Sequence, residues 1–339
     1  MNNIKRIILL FILLFIAIAF PVCAADLNYG CSVRVGIIDS GINVSQVPVT
    51  DGYNFLENNN DVTDNKGHGT KIAEIVFGLV PKAEIIALKC TEKDINTDNS
   101  AIIQAIYKAV DEFKCDILNI SIGMPDSEEL AKAVDYATQK GVIIVSAVGN
   151  DGEISYKKEK VYYPAGYESV VGVGAVDDND LVCEYSQKNN SVFITTESLE
   201  GTSFAAAKIT GAAAIAKSFD RRISPQLFMK FLKDSASDKG NEGFDTSYGY
   251  GVLDFQNFQK VLIDRYSVLV TDETEGIVTI CNLSDKEISA KLISTGDRVE
   301  NREIFLKPEE KNQIYVEHIS RCFIWQKSVY DIVWIKGGK

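Results

Sequence analysis

Between Val33 and Asp254 the chain repeats one pattern: a short, almost wholly apolar run, a turn rich in glycine or polar residues, then a stretch with helical period. The runs fall at 33–38, 85–90, 117–122, 142–145 and 170–176. A strand that is apolar at nearly every position is buried on both faces, and helices that alternate with such strands cover a parallel sheet from both sides. The pattern therefore predicts an α/β fold, a doubly wound, mainly parallel sheet with helices on both faces. Helices are expected over 71–77, closed by Gly78; from Ser100, with Ile102, Ile103, Ile106, Ala109, Val110 and Phe113 on one face; from Ser127 to the stop at Gly141; and from Ser224-Pro225 through Leu232. Sheets of this kind bind ligands beyond the carboxyl ends of their strands. Asp39 and Asn150 both sit at such ends.

The texture changes near residue 263. Short alternating runs follow at 267–270, 276–281, 288–294, 302–306, 312–316, 322–326 and 330–335, a spacing that reads as a small β-sandwich. At the other end, Lys5 and Arg6 precede an apolar run over 7–22, and the small residues Cys23-Ala24-Ala25 follow. That order is the order of a secretory signal peptide. The run is shorter than the ~20 residues a spanning helix needs, so export with cleavage after Ala24 or Ala25 is expected, and an uncleaved membrane anchor is the alternative. The organisation is then a signal peptide at 1–25, a main domain at 26–262 and a C-terminal β-sandwich-like domain at 263–339.

Export would allow disulfides among Cys31, Cys90, Cys115, Cys183, Cys281 and Cys322. Cys90 ends one predicted strand and Cys115 begins another, at opposite edges of a parallel sheet, so those two are not expected to pair. Cys31 with Cys115, both at strand beginnings, is the pairing expected. The net charge of −12, with no basic patch, argues against nucleic acid or an anionic membrane surface as partner. The absence of any Cys-x-x-Cys and the presence of just 2 histidines leave zinc little to bind.

The Gly201-Thr202-Ser203 tripeptide opens a stretch of small residues, Ala205-Ala206-Ala207 and onward through Gly211. Taken alone it reads as a buried, alanine-rich helix. Its start would nevertheless place the Ser203 hydroxyl where backbone N–H groups are free and positive potential is concentrated. Asp39, at a strand tip, and His68, between Gly67 and Gly69, supply an acid and an imidazole, each beside glycine. An acid, an imidazole, a serine and the Asn150 amide are the parts for acyl transfer. The imidazole takes the proton of a weakly nucleophilic hydroxyl, the carboxylate fixes its tautomer, and preorganised donors receive the oxyanion.

With these residues in the order Asp, His, Ser, the chain resembles the subtilisin-like serine proteases over roughly 33–254. Val35-Gly36-Ile37-Ile38-Asp39-Ser40-Gly41 is similar to the family's aspartate segment and Gly67-His68-Gly69-Thr70 to its histidine segment. Asn119-Ile120-Ser121-Ile122-Gly123 resembles its substrate-binding strand, Ala147-Val148-Gly149-Asn150 its oxyanion segment, and Gly201-Thr202-Ser203 its nucleophile segment. The resemblance implies an exported serine endopeptidase with Ser203 as nucleophile, His68 as base and then acid, Asp39 as its orienting carboxylate and Asn150 as oxyanion donor. It also implies that Ser121, Ile122 and Gly123 pair with an extended peptide, opposite Ala147, Val148 and Gly149. Asp151 and Tyr162 fall near the primary specificity pocket, where the acid would favour a basic residue before the cut and the tyrosine would shorten the pocket.

A peptide or protein is the implied substrate, for general degradation or for dedicated processing, and the chain is expected to act as a monomer. No cofactor is needed for the chemistry. Structural calcium is common in such proteins, and no ligand loop is assigned here. Three positions depart from the family: Lys71 replaces a second histidine, Phe204 the usual methionine and Ala207 the usual proline. Little chain separates the expected cleavage site from Val33, which leaves no room there for a folding pro-segment. The competing reading from another class is a catalytically silent, peptide-binding relative. An α/β-hydrolase esterase fits less well, since that family has its serine before the acid and the histidine and needs a Gly-x-Ser-x-Gly elbow.

Overall fold

A computed structural model of the chain describes residues 33–92, 99–154, 157 and 159–266, followed by 268–274, 277–282, 287–294, 301–307, 310–315, 321–326 and 331–335. The expected signal peptide and Cys31 lie outside the described residues, and so does the Cys31 half of its expected pairing. Cys90, Cys115 and Cys183 carry free thiols. The chain forms two units, Met1–Ile215 with Ile223–Phe258, and Ala216–Arg222 with Gln259–Lys339.

Among the described residues of the first unit, the strands β1 (Arg34–Asp39), β2 (Asp51–Asn54), β3 (Glu84–Lys89), β4 (Ile117–Ile120), β5 (Ile143–Ala147), β6 (Val171–Val176), β7 (Ile194–Glu197), β8 (Ala236–Ser237) and β9 (Val252–Leu253) make a single sheet. Their order is β2-β3-β1-β4-β5-β6-β7-β9-β8, parallel throughout except for the final β8–β9 pair. Successive residues of a strand face opposite sides. One side of the sheet packs Ile38, Leu88, Leu118, Ile120 and Ile144 with helix residues Ile102, Ile106, Leu130 and Val134. The alternate residues Ile37, Ala87 and Val145 are equally buried, so both faces are covered.

The helices are α1 (His68–Leu79), α2 (Asn99–Asp111), α3 (Glu128–Gln139), α4 (Thr202–Phe219), α5 (Pro225–Ser235) and α6 (Phe255–Tyr266). Ser127 caps α3 by accepting the Leu130 N–H at 3.2 Å, and Ser224 caps α5 by accepting that of Leu227 at 3.2 Å. Such caps are worth about 1 kcal/mol each. Several boundaries differ from the sequence expectation: α1 starts at His68, α5 runs on to Ser235, β4 stops at Ile120, and two expected signals at helix ends are not used. Gly78 keeps right-handed dihedrals and α1 continues through it to Leu79, because nothing forces a positive φ there. Helix α2 begins at Asn99, so Ser100 lies within it rather than capping it.

Helix α4 is buried along most of its length, and its small residues permit close approach. A Cβ on Gly211 would come within 2.4 Å of Leu79 at the end of α1. In the second unit, β10 (Val268–Thr274), β11 (Ile277–Asn282), β12 (Ile288–Ser294), β13 (Asn301–Leu306), β14 (Lys311–Tyr315), β15 (Arg321–Gln326) and β16 (Asp331–Ile335) form antiparallel sheets ordered β10-β11-β14 and β13-β12-β15-β16.

The topology concentrates loops at one place. Strand β1 lies between β3 and β4, where the winding of the sheet reverses direction, and Ile38, Ile120 and Ser146 are level across β1, β4 and β5. Asp39, Ser121 and Ala147 therefore emerge side by side at the carboxyl edge, the position in such sheets where ligands bind.

Candidate active site

Asp39 ends β1 with 1% of its surface exposed. Its Oδ1 accepts the N–H of Ser40 at 2.7 Å and lies 2.8 Å from His68 Nδ1. With a carboxylate as partner, Nδ1 carries the proton, which leaves Nε2 with its lone pair turned away from Asp39. Burial pushes the imidazole pKa down, but the hydrogen bond and charge of Asp39, joined by the charge of Asp64, outweigh burial and leave it above the ordinary value of 6.5.

His68 is the first residue of α1, and the start of that helix is tied to β1 by a network that the sequence reading missed. Asp64 Oδ2 accepts the Thr70 N–H at 2.9 Å and the Thr70 hydroxyl at 2.6 Å. Its Oδ1 accepts the N–H groups of Lys66 at 3.0 Å and Gly67 at 2.9 Å and the Ser40 hydroxyl at 2.9 Å. Ser40 Oγ in turn accepts the Gly69 N–H at 3.0 Å. Asp64 thus caps α1 in place of Gly67, which has no side chain to offer. These hydrogen bonds hold the Asp64 carboxyl below its ordinary pKa in spite of partial burial. The signal available in the sequence was an acid a few residues ahead of a helix start. Gly69 admits no other residue, since a Cβ there would sit 2.3 Å from the Gly41 carbonyl oxygen.

Ser203 occupies the first turn of α4 and is 7% exposed. The ring of Phe204, its neighbour, lies 5.6 Å from the His68 ring, which sets the start of α4 beside the start of α1. Lys71 sits over the other end of the same contact, with Nζ 5.3 Å from the Phe204 centroid and 2.8 Å from Glu200 Oε2. The position expected for a second histidine therefore carries a surface ion pair that closes over Phe204.

Asn150 is exposed, and its Oδ1 accepts both the N–H and the hydroxyl of Thr202 at 2.9 Å. This fixes the carboxamide against the mouth of α4 and leaves Nδ2 as its outward donor. On the other flank the Ser121 hydroxyl donates to the Ser203 carbonyl oxygen at 3.4 Å. Behind it Asn119 Nδ2 donates to Ser121 Oγ at 3.0 Å, and the Thr210 hydroxyl to Asn119 Oδ1 at 2.8 Å. The chain from Ser121 to Gly123 has left the sheet, since β4 ends at Ile120.

The remaining expected residues fall into place around these. Ala147 closes β5, Val148 is buried with Ala165 and Val192, and Ile122 packs against the core below the sheet edge. Gly123, Gly149, Asp151 and Tyr162 are drawn into one cluster, with the Tyr162 hydroxyl donating to Asp151 Oδ2. Among the described residues no three His, Cys, Asp or Glu side chains are grouped so as to hold a metal ion.

The arrangement is a carboxylate-fixed imidazole facing the first turn of a buried helix. Residues 30–251 match the model of the subtilase family, peptidase S8. The chain belongs to the subtilase family. It is similar to Subtilisin DY of Bacillus licheniformis, with 32% identity over 67% of this chain and 90% of that protein, and to Subtilisin BL of Lederbergia lenta, with 30% identity over 66% and 89%. Among solved structures, a lanthipeptide protease shares the fold at TM-score 0.60 and 23% identity, over 69% of this chain and 89% of that one. This subtilase is a serine endopeptidase that acts on peptide or protein substrates.

Proposed function

We propose that Ser203 is the nucleophile of an exported endopeptidase, with His68 as general base and then general acid and Asp39 as the orienting carboxylate. The observation that carries this is the 2.8 Å contact between Asp39 Oδ1 and His68 Nδ1. It sets the tautomer in which Nε2 is the free base, and it stabilises the imidazolium formed when Nε2 takes the hydroxyl proton. Asn150 Nδ2 and the Ser203 backbone N–H supply the oxyanion donors. The grip of Asn150 Oδ1 on Thr202 supports this role, because it holds the carboxamide in place before charge develops. Backbone groups of Ser121, Ile122 and Gly123 pair with an extended substrate as an added strand, opposite Ala147, Val148 and Gly149.

Export rests on the basic, apolar and small residues in sequence at 5–25. Comparing casein hydrolysis by the full chain and by Ser203→Ala tests the chemistry. Hydrolysis by the wild type alone is expected. Equal hydrolysis by both would overturn the assignment of Ser203, and binding of casein peptides without turnover would make the chain a silent, peptide-binding relative.

A further inference from the structure

The segments that continue β4 and β5 border one slot beside Ser203. Strands β4 and β5 are adjacent and parallel. The segment after β4 touches Ser203 through Ser121, and the segment after β5 grips Thr202 through Asn150. Each contributes a glycine to the slot, Gly123 on one wall and Gly149 on the other. A peptide laid along 121–123 as an added strand turns alternate side chains to opposite sides. With Ser203 as the proposed nucleophile, a peptide so paired would direct the side chain of the residue whose carbonyl meets Ser203 between these walls.

In this chain the slot already holds a ring. A Cβ built on Gly123 would lie 3.1 Å from Tyr162 Cβ and 3.2 Å from its Cγ, and one built on Gly149 would lie 2.8 Å from Tyr162 Cδ2 and 3.2 Å from its Cε2. The tyrosine therefore touches both walls, and only residues without side chains let it do so. Its backbone is anchored by the reciprocal hydrogen bonds of its neighbour Tyr163 with Met124, the residue that follows Gly123, 2.9 Å each. Its hydroxyl donates to Asp151 Oδ2, and the Lys157 ammonium lies 3.5 Å from the same oxygen. The Lys160 ammonium sits 4.7 Å from the ring centroid. The loop that carries both lysines is pinned from below. Gln187 Nε2 donates to the carbonyls of Lys157 at 2.8 Å and Lys160 at 3.0 Å, and Asn189 Nδ2 to that of Lys160 at 2.8 Å. Gln187 and Asn189 are buried, so this support does not depend on solvent-exposed contacts.

We propose that Tyr162 sets the substrate class of this subtilase: its ring closes the slot between Gly123 and Gly149, so the residue ahead of the scissile bond must be small, namely glycine, alanine or serine. The inference rests on the proposed role of Ser203 and adds the substrate to it. Asp151 does not read a basic side chain, because the Tyr162 hydroxyl and the Lys157 ammonium already share its carboxylate. Of the two sequence expectations for this pocket, the contacts favour the shortened one. A larger side chain could enter only by expelling the ring, which would break a hydrogen bond to a carboxylate and a cation–ring contact together.

The test uses the full chain and a set of peptides that differ only at the residue before the cut, carrying alanine, serine, leucine, phenylalanine or arginine. Two readouts are taken: kcat/KM for the wild type, and the affinity of the same peptides for Ser203→Ala by fluorescence anisotropy, which needs no turnover. The wild type is expected to favour alanine over phenylalanine and arginine by about 100-fold or more, since one misfitting methylene alone costs about 10–200-fold. Tyr162→Gly and Tyr162→Ala are expected to accept leucine and phenylalanine at least as well as alanine, while Tyr162→Phe keeps the preference for small residues. Phenylalanine or arginine accepted as readily as alanine by the wild type would overturn the proposal, as would an unchanged profile in a folded Tyr162→Gly. Loss of turnover with a small-residue preference intact in the binding series would count against the role of Ser203 and still support the closed slot.

Discussion

His68 at its corner and Tyr162 in its slot are both half-buried, yet they are held by different kinds of contact. At the corner, the hydrogen bonds that hold His68 and Asp64 come from the short stretch between Asp39 and Thr70, and Phe204 adds a ring contact to His68. The bonds run from hydroxyls and backbone N–H groups to carboxylate oxygens and, from the Gly69 N–H, to the Ser40 hydroxyl. At the slot, the ring is met by Gly123, Gly149, Asp151, Lys157 and Lys160, brought together from several segments, and its polar partners are charged side chains on the surface. Backbone donors cannot be exchanged by mutation, whereas a side chain filling a gap between glycines can be. The proposed chemistry is thus held in part by backbone donors that substitution leaves in place, and the proposed specificity by a side chain that a single substitution removes.

That difference can be broken or sharpened by substitution, beginning where the effect is largest. Ser203→Ala and His68→Ala should each lower kcat by a factor on the order of 10⁶, and the double variant should lose little more, because the residues act as a unit; these are the magnitudes associated with the same changes in subtilisin itself. Single-turnover assays with an activated ester would check it. Asn150→Leu, which keeps the size and removes the donor, should cost on the order of 10²–10³ in kcat with KM nearly unchanged, again the size associated with that donor in subtilisin. A rise in KM alone would place Asn150 in binding rather than in oxyanion stabilisation.

Asp64→Ala should lower unfolding stability by about 2 kcal/mol, the sum expected for a lost helix cap and lost hydrogen bonds to a carboxylate. Urea denaturation measures it, and a loss near zero would remove Asp64 from the account of the corner. Asp64 also predicts a pH effect. His68 must be neutral to act as base and its pKa is raised, so the acid limb of kcat/KM should fall as pH drops through a value above 6.5. Removing the negative charge in Asp64→Asn should move that limb to lower pH. A shift to higher pH would contradict the electrostatic assignment. The smallest expected effect concerns Phe204, whose ring offers no thioether beside His68. Activity should survive peroxide in the wild type and become peroxide-sensitive in Phe204→Met.

The sheet was legible because burial on both faces leaves an unmistakable apolar signature at 85–90, 117–122 and 142–145, and the helix caps at Ser127 and Ser224 were legible for the same local reason. Strand β2, Asp51–Asn54, was not, because a half-exposed edge strand carrying Asp51 and Gly52 lacks that signature. Asp39, His68, Ser203 and Asn150 were readable as short motifs. Asp64 was not singled out, since an acid ahead of a helix looks like any loop residue until its partners Thr70, Gly67 and Ser40 are seen. The Tyr162 slot was named near the pocket but its occupancy was beyond the sequence. It depends on an isolated antiparallel bridge between Met124 and Tyr163, distant in sequence, which no local pattern encodes.

Mass-spectrometric mapping of a fluorophosphonate adduct on the full chain tests the assignment of Ser203 and His68 most directly. A single adduct on Ser203, formed by the wild type and lost in His68→Ala, is predicted. No adduct on the wild type, or one on another residue, or one that forms equally fast without His68, would contradict it.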